Sequence, residues 1–189
     1  MKTNRASKFL TLSGALSFVV IVSYLQFVQI GYSPVNQLMS ELALGEKGQL
    51  MLAAFAMFAL AAIGAIGVLA SFKASKLISL FLLTAAFCLL GAGVFKLGTD
   101  TTLHVALVAV AFILLGLVMY LVPRYVENFR NNQGRLVSWG LCAGTALAVA
   151  LGNTALPIGI GQRVAAGCIL LWLCWLAISP QKMGEKSGA

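Results

Sequence analysis

Six separate stretches of mainly apolar residues run through the chain, and no other feature limits its fold so strongly. They cover approximately 9–30, 49–70, 77–97, 103–122, 136–156 and 164–179. A membrane-spanning helix needs roughly 20 such residues, and the last stretch reaches that length with its neighbours. None of the six alternates apolar and polar residues with period two, which argues against strands. Helices also satisfy every backbone group internally, as lipid requires. The expected fold is therefore all-α: an integral membrane bundle of six transmembrane helices forming a single domain over residues 1–189. Composition agrees, since 60% of residues are hydrophobic and only 10% charged. Such a chain has too little polar surface to cover a water-soluble globule.

A net charge of +8 raises the question of nucleic acid. The basic residues form no stripe interleaved with aromatics; they sit in short clusters between apolar runs, so no nucleic-acid partner is expected. Their alternation sets an orientation instead. Lys2, Arg5, Lys8, Lys73, Lys76, Arg124, Arg130, Arg135, Lys182 and Lys186 share one side, while Lys47, Lys96 and Arg163 share the other, ten against three. Both termini are expected in the cytoplasm of a multi-pass cell (inner) membrane protein. Glu41, Glu46 and Asp100 bring the outer side to zero, which leaves the whole +8 inside, facing anionic lipid. Lys2, Arg5 and Lys8 before an apolar run resemble a signal peptide. The run is longer than a signal core and no small-x-small cleavage site follows, so an uncleaved first helix is expected.

Cys88, Cys142, Cys168 and Cys174 all fall inside apolar runs without CxxC spacing, and they read as packing residues. In the fifth span Gly140, Gly144, Ala148 and Gly152 recur every four residues. Such a small-residue ridge lets helix backbones approach closely, either within the chain or across a homodimer. The longest connection outside the membrane, Gly31 to Gly48, contains helix signals: Ser33 as N-cap, Pro34 at the first position, Gly45 at the end. Val35, Leu38, Met39 and Leu42 fall on one face, which predicts a short outer interfacial helix lying apolar side down as a lid. The loop Pro123–Arg135, polar and basic, reads as a solvated connector.

The outer helix ends collect most of the unusual polar residues: Ser40 and Glu41 from the lid, Lys96 at the end of the third span, and Asp100 with His104 at the start of the fourth. Gln162 and Arg163 open the sixth. Ionisable groups at membrane depth are costly and mark candidate sites. Asp100 and His104, four residues apart, share a helix face, where a carboxylate can orient an imidazole for acid–base work. Ser40 is then a candidate nucleophile, and Glu41, Lys96, Gln162 and Arg163 are candidate ligand-binding groups, the cations for phosphate or an oxyanion. Each has a plainer role. Asp100 can cap a helix, Lys96 can snorkel, His104 can be an interface histidine, Ser40 a lid residue, and Arg163 an anchor or partner of Glu41. His104, Asp100 and Glu41 also supply metal-type ligands. With one histidine and no HxxxH or HExxH motif, neither a metal nor any other cofactor is expected.

Tyr32-Ser-Pro-Val-Asn36 followed by Ser40-Glu41-Leu42 resembles the first outer loop of the prokaryotic membrane family called domain of unknown function 998. Gly98-Thr-Asp100 with His104, and later Gly161-Gln162-Arg163, fit the same pattern. The resemblance covers nearly the whole chain and implies a fold of six helices more than an activity. That family looks distantly similar to the eukaryotic Frag1, DRAM and Sfk1 membrane proteins, which implies lipid-related work. Three functions follow as expectations: binding or organising a membrane lipid through the outer polar cluster, hydrolysis or transfer on a lipid or isoprenoid by His104 with Asp100 and Ser40, and small-solute transport. Transport is weakened by the lack of paired midplane charges and of an inverted repeat. The lipid-binding reading predicts a lateral cleft with Arg163 or Lys96 at its mouth. The inner side carries no nucleotide motif, so no ATP-dependent step is expected.

Overall fold

A computed structural model describes residues 5–152 and 154–180. Six helices build it: α1 (Arg5–Val28), α2 (Leu50–Ser71), α3 (Lys76–Val94), α4 (Thr101–Tyr125), α5 (Asn132–Leu151) and α6 (Ile158–Ile178). All six are long and apolar enough to cross a membrane. Among the described residues there is no strand, only an isolated bridge between Gly152 and Leu156. Consecutive helices run antiparallel, and each packs on its neighbour in chain order. α6 closes the ring by packing on α1, and also touches α2. α2 and α6 form the centre, with 56% and 50% of their apolar windows buried against 22% for α5. Of the helices, α5 touches only α4 and α6.

Local chemistry places the helix starts. Ser75 caps α3 at Ile78 N–H, Asp100 caps α4 at Leu103 N–H, and Asn131 caps α5 at Gly134 N–H. Each side-chain oxygen satisfies an amide that the first turn leaves orphaned. The described basic residues of the first set (Arg5, Lys8, Lys73, Lys76, Arg124, Arg130 and Arg135) belong to the helix ends and connections of one end of the bundle. Lys47, Lys96 and Arg163 belong to the opposite end, called here the loop end. Lys2, Lys182 and Lys186 lie outside the described residues.

The tightest helix pair is α1 with α2. A Cβ on Gly14 would lie 2.6 Å from the Met57 carbonyl oxygen and 2.7 Å from the Ala61 nitrogen. One on Gly64 would lie 2.5 Å from Thr11 Oγ1. Only glycine allows the two backbones this close, and in lipid such packing is what holds helices together.

Three expectations need correction. The outer helix is shorter than expected and not α-helical: residues 34–36 form a turn, and a 3₁₀ helix, Met39–Ala43, follows. This segment does not lie on the surface, because Met39, Ser40, Leu42 and Ala43 are all buried. It works as a plug seated in the bundle. α6 begins at Ile158, not near 164, so Gln162 and Arg163 sit in its second turn. A helix tolerates them there because the plug hydrogen-bonds both side chains, Gln162 through Met39 N–H and Arg163 through Gln37 O and the Tyr32 hydroxyl. The loop after α4 is not fully solvated, since Phe129 is 2% exposed and its ring lies 5.0 Å from Phe72 and 5.1 Å from Trp175. Of the two readings of the α5 ridge, packing within the chain is seen along most of its length. A Cβ on Gly144 would meet Cys168 Sγ at 3.0 Å, and one on Gly161 would meet Ala148 O at 2.7 Å and Gly152 Cα at 2.9 Å. Of the ridge glycines, only Gly140 has open space before it.

Candidate functional site: a cleft between α4 and α5

The plug is tied down by polar side chains from α1's end and from α6. Gln162 Oε1 accepts from Met39 N–H at 2.6 Å. Arg163 Nη1 donates to the carbonyls of Gln37 and Gly159, each at 3.0 Å, and Nη2 donates to the Tyr32 hydroxyl. That hydroxyl in turn donates to Leu38 O at 2.9 Å. Gln29 Nε2 holds the Leu42 and Glu46 carbonyls at 2.7 and 2.9 Å. Buried loop carbonyls need such partners, or their burial would oppose folding. Gly159 provides the seat: a Cβ there would meet the carbonyls of Pro34, Val35 and Gln37 within 2.6 Å. Burial pushes the Tyr32 hydroxyl above its ordinary pKa of 10.0, even though the Arg163 hydrogen bond and charge pull it down.

Glu41 caps the plug's own 3₁₀ turn, accepting from Leu38 N–H at 2.8 Å and from Gln37 Nε2 at 3.1 Å. With Gln29, Tyr32, Gln37 and Glu46 it lines a hollow of about 420 Å³ on the loop end. Lys96 is exposed and stands away from the cleft described below. Among the described residues no three His, Cys, Asp or Glu side chains gather closely enough to hold a metal ion.

Asp100 and His104 are joined through the backbone, His104 N–H donating to Asp100 O at 3.0 Å, but their side chains turn to other partners. Asp100 is exposed, and its Oδ1 accepts from Leu103 N–H at 3.0 Å. His104 is 2% exposed and turns Nδ1 to the last turn of α3, within 2.8 Å of Ala92 O and 3.0 Å of Phe95 O. Two carbonyls, not a carboxylate, thus orient the ring. The Phe55 ring meets it edge-on at 5.6 Å. The other nitrogen, Nε2, is buried without a hydrogen-bond partner.

Ser40, His104 and Gln162 meet at a cavity of about 690 Å³ between α4 and α5. Its α4 wall runs from His104 through Val108 and Phe112 to Gly116, and its α5 wall from Cys142 through Thr145 and Val149 to Gly152. Leu38, Ser40, Ile158 and Gln162 line it from the plug and α6. At its base Cys142 Sγ contacts Gly116 O at 3.3 Å, and beyond that Trp139 Nε1 donates to Tyr120 O at 3.1 Å. The two helices are therefore joined in their basic-end halves and parted toward the loop end. The expected lateral cleft exists, but neither Arg163 nor Lys96 lines it.

Of the seven candidate side chains, the structure brings three into the cleft, Ser40, His104 and Gln162. Two more, Glu41 and Arg163, hold the plug, while Asp100 caps α4 and Lys96 is exposed. Sequence reasoning passed over Gln29, Tyr32 and Gln37 as plug-holding groups. Their signal was polarity at the end of an apolar run next to a loop too apolar to be solvated.

These features define a multi-pass helical membrane protein with a plugged loop end and a side cleft. The chain belongs to the family described as protein of unknown function (DUF998), whose model matches residues 12–179. No curated protein and no solved structure matches it.

Proposed function

We propose that the protein binds a membrane amphiphile, with the apolar chain of the ligand in the α4–α5 cleft and its head near Ser40, His104 and Gln162. The shape of the cleft carries this reading. From His104 to Gly116 the α4 wall spans about 18 Å at 1.5 Å per residue. That is close to one leaflet of hydrocarbon, roughly 15 Å. The volume of about 690 Å³ suits a small ligand, since such sites hold roughly 300–1,000 Å³. Apolar side chains line most of it, and Ser40, His104 and Gln162 gather at one end. The Thr145 hydroxyl and the Cys142 thiol on the α5 wall are spent on Leu141 O and Gly116 O, so the lining matches the polarity of an amphiphile. The distribution of Lys and Arg would turn that polar end outward, with the termini in the cytoplasm.

The test is to purify the protein in mild detergent and quantify co-purifying lipids by mass spectrometry. Ala146→Trp fills the α5 side of the cleft from an exposed position. It should fold with unchanged thermal stability and lose the bound lipid. Equal retention by both proteins would refute the cleft as the binding site.

Hydrolysis of a lipid by Ser40 with His104 as base is the second reading, favoured by their common position on the cleft wall. It requires a Ser40–His104 hydrogen bond, whereas Nε2 has no partner in this arrangement. A lipid that accumulates on Ser40→Ala but not on the native protein would favour it.

A further inference from the structure

We infer that the ligand of the cleft is headed by an uncharged hydroxyl group that donates its hydrogen bond to Nε2 of His104. This deepens the binding reading above and rests on it.

The tautomer follows from the neighbours of Nδ1. Ala92 O and Phe95 O, at 2.8 and 3.0 Å, can only accept, so Nδ1 carries a proton. Both carbonyls belong to the end of α3, where helix geometry leaves carbonyls without an intrahelical partner. In the neutral ring Nε2 is then a bare lone pair. It lacks any donor and belongs to a residue that lines the cleft, yet the atom itself is closed off, so a ligand hydroxyl reaches it with a small shift of the side chains around the ring. The other such atom among the described residues, Arg163 Nε, belongs to the plug fastening and not to the cleft. A buried acceptor without a donor is unfavourable, and a ligand that supplies one gains what the protein lacks.

The charge of that donor is decided by the rest of the wall. Among the described residues the cleft is lined by no Asp, Glu, Lys or Arg. An ammonium there would be desolvated without a carboxylate, and a phosphate without a cation. Arg163 cannot serve, because its guanidinium is committed to Gln37, Gly159 and Tyr32. A hydroxyl avoids both costs, since it donates once and accepts as well. Ser40 can return a hydrogen bond, and so can the Gln162 amide, whose Oε1 is taken by Met39 N–H and whose NH₂ remains a donor. The class of ligand is thus a long-chain alcohol or an acylglycerol bearing a free hydroxyl.

The experiment uses full-length protein in phosphatidylcholine nanodiscs and retention of radiolabelled hexadecan-1-ol. Unlabelled hexadecan-1-ol and monopalmitoylglycerol, the two sources of the hydroxyl, are compared with palmitic acid, hexadecylamine and hexadecane as competitors. At least one hydroxyl compound should compete about tenfold better than the other three, the worth of one buried hydrogen bond. Whichever does so names the source. His104→Asn keeps an amide N–H for the two carbonyls and removes Nε2, so that preference should vanish. A wild-type measurement stands beside it should that variant not fold. The chain has a single histidine, so ¹⁵N-histidine NMR reads this ring alone. Nε2 should resonate as the unprotonated nitrogen and move upfield with the favoured hydroxyl compound but not with hexadecane, while Nδ1 stays. If Ala146→Trp abolishes retention yet no hydroxyl preference or Nε2 shift occurs, the inference is overturned and the cleft reading stands. If retention ignores Ala146→Trp, both fall.

Discussion

The α1–α2 pair and the α4–α5 pair are both antiparallel neighbours in the ring, yet one is sealed and the other is open. In α1–α2, Gly14 and Gly64 remove the side chains that would separate the backbones. α5 carries small residues too, but Gly144, Ala148 and Gly152 face α6. What α4 and α5 offer each other toward the loop end is Val108, Phe112, Thr145 and Val149, and these line a cavity. In lipid there is no hydrophobic drive to close such a gap, because acyl chains are as apolar as the helix faces. Helices part wherever close backbone packing or hydrogen bonds do not hold them, and this chain has used its smooth surfaces elsewhere.

That comparison breaks first at its sealed side. Gly14→Leu should produce the largest effect, a loss of roughly 3 kcal/mol or more from forced overpacking, read as a fall in thermal midpoint in detergent; an unchanged midpoint would mean that α1–α2 proximity is not needed. Next comes the α5–α6 side, where Trp172 Nε1 donates to Ser138 Oγ at 2.9 Å and both residues are fully buried. Ser138→Ala leaves that indole N–H unsatisfied and should cost about 1–3 kcal/mol in the same assay.

The plug should respond in rate of exposure more than in global stability. Arg163→Gln removes contacts to Gln37 O and Tyr32, so backbone amides of residues 37–43 should exchange faster while those of α2 do not. Tyr32 sharpens the same point through pH. Its pKa is raised in the fold, so its contribution is intact below the ordinary value of 10.0 and is lost as pH rises past it. Alkaline loosening of the plug should therefore begin above about pH 10 and be absent in Tyr32→Phe. The smallest effect belongs to Gly116→Ala and Gly140→Ala, where a Cβ meets nothing within 4 Å. Both should stay within about 1 kcal/mol of the native protein, with any gain coming from helix propensity.

The number of spans and the Asp100 cap were readable from residues alone; the caps at Ser75 and Asn131 went unread, though they are equally local. Each depends on neighbours three or four positions away, or on whether a run of side chains can be solvated by lipid. Membership of the family was also legible, from short motifs in a fixed order. The fate of the polar residues was not. Asp100 and His104 have the spacing of a catalytic pair, but α3 ends beside His104 and supplies two carbonyls that outcompete any pairing between them. Gln162 and Arg163 read as the start of a helix because charge interrupts an apolar run. They lie inside it, because a loop some 120 residues earlier folds over and takes their hydrogen bonds.

Sequence by itself determined that this chain spans a membrane as six helices, since hydrophobic length and backbone satisfaction in lipid are local properties. Only the tertiary structure decided that the loop is a plug and not a lid, that the small-residue ridge serves α6, and that α4 and α5 part to form a cleft. Those outcomes rest on competition among distant partners for the same surfaces and the same hydrogen bonds, and no stretch of the chain contains both competitors.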